Sequence, residues 1–153
     1  FGGAPLPPFP NPASLDYNNF GRLLVFKLGG EAQLEVPKAR DMTIPEQDMA
    51  ALSDQQIARG EVVYHEFCAV CHGMAARSGG TISDLRQMSP ETHQGFDAIV
   101  LEGTLSPKGM AAFDDVLTAE DTALVHEYIR ARANQDRQVA LGNQEQPRWT
   151  WLD

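Results

Sequence analysis

Cysteine is scarce in this chain: its 153 residues include two, Cys68 and Cys71. A chain of this size buries roughly two thirds of its unfolded surface without disulfide staples, so both thiols are available for chemistry. Basic residues are also few, 12 Lys and Arg against 21 Asp and Glu, for a formal net charge of −9. That sign repels phosphate backbones and anionic lipid surfaces, so nucleic acid is not an expected partner. No run approaches the roughly 20 apolar residues of a spanning helix, and no membrane span is expected. Two large domains are excluded by length. The sequence opens on Phe1 without a basic stretch and apolar stretch of signal-peptide type, so it reads as processed or as the C-terminal piece of something longer.

What is present divides along the chain. Residues 1–12 contain five prolines, which remove backbone donors and exclude helix or central strand. Residues 21–28, Gly-Arg-Leu-Leu-Val-Phe-Lys-Leu, form a short apolar run ended by Gly29 and Gly30, the pattern of a buried strand and turn. No second run of this kind follows. Its pairing partners are therefore expected in the proline-rich segment, in the tail or on another polypeptide. Residues 31–50, with Pro37 and Pro45 among scattered charges, read as a linker. A compact unit is expected over 51–133, and residues 134–153 read as a polar tail ending in Trp149 and Trp151.

Within the compact unit, Ser53 and Gln56 form a capping-box signature, and Ile57, Gly60, Tyr64 and Phe67 recur at helical spacing, predicting a helix from 54 to about 69. Thr118 and Asp121 repeat the signal ahead of Leu124, Val125, Tyr128 and Ile129, predicting a last helix that ends near Ala133. A short helix is expected over 96–102, a further turn over 114–117, and loop elsewhere. Gly60 and Tyr64 are expected to face Val125 and Tyr128 where the long helices cross.

The chemistry is concentrated in Cys68-Ala69-Val70-Cys71-His72. The spacing C-x-x-C-H places two thiols on one side of a helical turn, where they can add across two vinyl groups, with His72 beneath the iron of one covalent haem c. A thioredoxin-like pair would need a βαβ setting, which is absent, and a zinc site would need two further ligands, with no other cysteine available. Thioether attachment belongs to oxidising compartments, so a periplasmic location is expected. For the opposite face of the haem, Met110 in the glycine-flanked loop Lys108-Gly109-Met110 is the expected ligand, with Met88 and His93 as alternatives. Met42, Met49 and Met74 read as linker or packing residues, and His65 and His126 as surface residues. Arg86 has two readings, a partner for a haem propionate or a solvated loop residue.

These elements resemble a class I c-type cytochrome over about 51–133. A closer resemblance lies in Tyr64-His65-Glu66-Phe67, Ser78-Gly79-Gly80, Asp84-Leu85-Arg86 and Gly109-Met110-Ala111-Ala112-Phe113, which are similar to the C-terminal cytochrome domain of quinohaemoprotein alcohol dehydrogenases. The resemblance implies a mostly α class I cytochrome c fold with an extended N-terminal arm or strand and a linker. It implies that Cys68 and Cys71 hold the porphyrin, that His72 and Met110 ligate the iron, and that Leu85 and Arg86 belong to the cofactor site. It further implies that residues 1–30 complete a propeller domain carrying pyrroloquinoline quinone (PQQ) and calcium. Electrons would come from that quinone and leave to a soluble acceptor, a blue-copper protein or another cytochrome. The chain by itself would not be an enzyme. A free, diffusible monohaem cytochrome is the alternative. In that family a proline usually precedes the Asp-Leu-Arg stretch; here the residue is Ser83, whose carbonyl can still accept a bond from the proximal histidine.

Overall fold

The two reciprocal caps visible in the sequence open the two long helices of the structure. The computed structural model describes residues 23–35 and 38–143. Its helices are α1 Asp54–Phe67, α2 Ala69–His72, α3 Pro90–Gln94, α4 Phe96–Val100 and α5 Ala119–Ala140, with 3₁₀ turns at Met74–Ala76, Leu85–Gln87 and Ser106–Lys108. Ser53 N donates to Gln56 Oε1 at 3.0 Å while Gln56 N donates back to Ser53 Oγ. Thr118 and Asp121 make the same exchange at 3.1 and 3.2 Å. Each pair satisfies two of the four donors that a helix start leaves without partners.

The long helices cross where the sequence expected it. A Cβ on Gly60 would lie 2.2 Å from the Leu124 carbonyl oxygen, so only glycine lets α1 approach α5 this closely. One turn on, the rings of Tyr64 and Tyr128 pack with centroids 5.2 Å apart. Val125, Ile129 and Ala133 continue the buried face of α5, while Phe96 and Val100 of α4 and the loop residues Met88 and Leu117 close the core. Burying a side chain such as Ile129 contributes about 1.5–3 kcal/mol.

Three expectations need correction. The last helix runs on past Ala133 to Ala140, because nothing between these residues stops it and Gly142, at φ +75°, is the first backbone position that does. The stretch 88–95 is not all loop: Ser89 accepts from Thr92 N and Pro90 starts α3, a helix-opening signature present in the sequence. Finally, the run 21–28 forms no strand over its described part. Leu23, Val25, Phe26 and Leu28 are exposed, since a strand needs the backbone groups of a neighbour and no described segment supplies them. The turn that follows does form, with Gly30 N donating to Lys27 O at 3.0 Å and Gly29 at φ +72°. Residues 1–22, which hold the proline-rich segment, and the Trp149 and Trp151 tail lie outside the described residues.

The segment before α1 is tied to the helical unit. Gln47 and Asn134 exchange two hydrogen bonds, each 2.8 Å. Ala50 N donates to the buried Glu127 at 2.8 Å, and Gln87 Nε2 donates to the carbonyls of Asp41 and Thr43 at 2.7 and 2.9 Å. No described helix is long and apolar enough to cross a membrane.

Candidate functional site

Cys68 sits at the break between α1 and α2. Its N–H continues the α1 ladder to Tyr64 O at 2.8 Å, and its own carbonyl accepts from His72 N at 2.9 Å. Cys68, Cys71 and His72 are thus held on one tight turn. Gly73 ends it at φ +81°, where a Cβ would lie 2.0 Å from the Arg77 carbonyl oxygen. The buried Tyr64 Oη donates to the Gly73 carbonyl at 2.8 Å, and burial, reinforced by Cys68 and Tyr128, pushes its ionisation upward so that it stays a donor. Beyond Gly73 the chain passes through Ala75 and Ala76 at φ +53° and +62°, left-handed positions that cost an alanine about 1–2 kcal/mol each. Both are fully buried, and no sequence signal announces this turn.

The two thiols are free. Cys68 is half-buried, and desolvation followed by the neighbouring Cys71 pushes it up to about 11. Cys71 is exposed. His72 is half-buried, with Nδ1 3.2 Å from the Ser83 carbonyl oxygen. An imidazole that donates from Nδ1 to a carbonyl keeps its Nε2 lone pair for a metal. The serine thus serves where the resembled family has proline, because the backbone oxygen does the work.

Met110 follows Gly109, at φ +95°, in a loop secured by Phe113 N donating to Val100 O at 2.9 Å and by Met110 N donating to Leu105 O at 3.3 Å. Cys68, Met74, Leu85, Met110, Phe67 and Phe113 all pack, partly buried, against the same core cluster. Met88 belongs to that core and is itself buried. Two free thiols, an imidazole with one nitrogen anchored, and a thioether loop around half-covered apolar side chains are a donor set and a lining that fit a covalently attached haem. Cys68, Cys71, His72 and Met110 are the residues that could hold one.

Two other readings change. Arg86 is buried and neither solvated nor turned outward: Nε and Nη2 fork onto Asp84 at 2.9 and 2.7 Å, and Nη1 donates to Asp136 at 2.9 Å. A planar guanidinium suits carboxylates, and the chain supplies one from the same loop, Asp84, and one from α5, Asp136, in the stretch read as tail. His126 is not a surface residue either. Its ring stacks on Phe96 at 4.1 Å and lies 5.0 Å from His93, whose Nδ1 is 2.7 Å from His126 Nε2. Burial, then the charges of Arg130 and His93, push His126 down to about 4. Asp136, Arg132 and Glu127 escaped the sequence reading, although the four-residue spacing of Arg132 and Asp136 was a visible helix signal.

Comparison with known proteins places this geometry. Residues 55–129 match the family model described as cytochrome c oxidase, cbb3-type, subunit III. The chain is 44% identical over 121 residues to quinohemoprotein alcohol dehydrogenase ADH IIB of Pseudomonas putida, covering 77% of this chain and 17% of that one. It is 32% identical over 118 residues to the dehydrogenase subunit of the alcohol dehydrogenase (quinone) of Gluconobacter oxydans, covering 76% and 16%. The solved structure of quinohemoprotein alcohol dehydrogenase ADHIIG from Pseudomonas putida aligns with a TM-score of 0.63 at 36% identity, over 74% of this chain and 16% of that one. The chain therefore spans about a sixth of the relatives it matches. The helical unit is a cytochrome c domain, and the chain belongs with the cytochrome-bearing part of the quinohaemoprotein alcohol dehydrogenases.

Proposed function

We propose that this chain is the electron exit of a PQQ-dependent alcohol dehydrogenase, with one haem c bound through thioethers to Cys68 and Cys71 and ligated by His72 and Met110. The observation that carries the reading is the turn that presents both free thiols and His72 together, with His72 Nδ1 at the Ser83 carbonyl. When bound, haem c supplies one-electron exchange at its iron. The chain's residues do the rest. Ser83 orients the imidazole, Tyr64 and Gly73 close the turn that holds it, and the thioether of Met110 favours the ferrous state. Half-buried Leu85, Phe67 and Phe113 exclude water on the inner side.

In this reading residues 1–30 complete a propeller domain that holds PQQ and calcium, 31–50 is the connecting linker, 51–133 is the cytochrome unit and 134–153 its tail. The apolar side chains of Leu23, Val25, Phe26 and Leu28, exposed in the chain alone, support a partner surface at that end. Haem c held by Cys68, Cys71, His72 and Met110 would supply the one-electron exchange between the quinone of that domain and a soluble acceptor, a blue-copper protein or a cytochrome, in the periplasm. The test is the intact mass of the native assembly with its reduced-minus-oxidised spectrum. Covalent haem on this chain, travelling with a quinone-bearing polypeptide, is expected. A mass without haem would overturn the site, and a haem-bearing chain that is ordered alone would make it a diffusible cytochrome.

A further inference from the structure

Beside the candidate site lies an ionic cluster that helix capping and cofactor attachment leave unexplained. Asp136, 4% exposed, accepts from three arginines: Arg77 at 2.8 and 3.1 Å, Arg86 at 2.9 Å and Arg132 at 2.8 Å. Arg86 passes the constraint on by forking onto Asp84, which also accepts from the Arg86 backbone N–H at 3.1 Å. Asp84 directly follows Ser83, the residue whose carbonyl faces His72 Nδ1 at 3.2 Å. That carbonyl and the N–H of Asp84 belong to one planar peptide unit that ends at Asp84 Cα. Clamping the Asp84 side chain therefore restrains the direction of the oxygen that faces the imidazole. Arg40 also contacts this loop, 3.7 Å from Asp84 and 3.1 Å from the Ser78 carbonyl.

Buried ion pairs are a weak source of stability, because desolvating each ion costs several kcal/mol that their attraction only partly returns. Holding a defined geometry is the better reason for such a cluster here. We propose that Asp136, acting through Arg86 and Asp84, is a positioning residue for His72, keeping the Ser83 peptide plane at the angle where its oxygen accepts from the ring. The proposal rests on the reading of His72 as an iron ligand. An imidazole that donates to a carbonyl is the more basic ligand, and ligand hydrogen bonding is one of the levers that set an iron's potential. A freer Ser83 plane weakens that bond and raises the midpoint potential.

The test compares the full-length, haem-loaded chain with its Asp136→Asn and Arg86→Lys variants by exchange of the His72 ring proton, midpoint potential and thermal unfolding. Removing a negative charge raises a potential by itself, so the charge-conserving Arg86→Lys is the decisive variant, and ring-proton exchange is the readout that charge alone does not move. In both variants haem stays attached, the ring proton exchanges faster and the potential rises. Variants that unfold at lower temperature while ring exchange and potential match the parent would overturn the proposal and leave the cluster purely structural. Should Asp136→Asn not fold, Arg86→Lys decides. Failure of the underlying reading is seen separately, in a His72→Ala chain that keeps the parent spectrum.

Discussion

Tyr64, near the end of one helix, donates from its hydroxyl to the carbonyl of Gly73 at 2.8 Å and so ties the residues on either side of the Cys68–His72 turn to each other. The bond is buried, and Tyr64 is fully shielded from solvent. Tyr64→Phe leaves the Gly73 carbonyl without its partner, a loss of about 1–3 kcal/mol. Urea unfolding of the haem-loaded variant measures it, and an unchanged midpoint would show the bond to be dispensable.

Gly60 and Leu124 set how closely α1 and α5 approach. A Cβ at Gly60 lies 2.2 Å from the Leu124 carbonyl oxygen and 2.7 Å from its carbon, backbone atoms that cannot swing aside. Gly60→Ala is expected to push the helices apart and destabilise by about 1–3 kcal/mol or more. Thermal unfolding reads the effect, and a melting temperature equal to the parent's would mean that the crossing tolerates a methyl group.

His126 makes the domain acid-sensitive in a defined window. Its ordinary value is 6.5 and burial, with Arg130 and His93, brings it down to about 4 in the folded chain. Between these values the unfolded chain binds a proton that the folded chain does not, so stability is full above 6.5 and falls as pH drops toward 4. His93 is displaced in the same direction, by burial and by Arg130. Asp136 acts lower. Burial alone would raise it, but the Arg77 hydrogen bonds and the arginine charges bring it below 3.8, so its contribution is lost only beneath that pH. His126→Phe, which keeps a ring on Phe96, should flatten the stability profile between pH 6.5 and 4, as denaturant midpoints across that range would reveal.

Met110→Ala tests the sixth ligand. Loss of the thioether is expected to convert the visible spectrum to high spin and to lower the midpoint potential. A spectrum identical to the parent's would move the ligand to Met88 or His93.

Removing the haem tests how much of the fold depends on it. A group bound only by the folded chain stabilises it by mass action, and here the apolar side chains around Met110 and Leu85 remain half-covered by protein alone. The haem-free chain should lose much of its helical circular dichroism and its cooperative melt. Retention of both would show a core complete without the cofactor.

The sequence by itself determined what depends on near neighbours. Ser53 with Gln56 and Thr118 with Asp121 started the helices because a cap is made within three residues. Cys68, Cys71 and His72 spelled out their chemistry because one helical turn brings them together. The tertiary structure decided what depends on distant partners. Asp136 reads as a tail residue until α5 continues past Ala133 and lays it on Arg86 and Arg77. His126 reads as a surface residue until α3 and α4 bring His93 and Phe96 against it. The exposed run from Leu23 to Leu28 marks the opposite limit. Its pattern is that of a strand, but a strand is made by the hydrogen bonds of a neighbour, and no described part of this chain provides one.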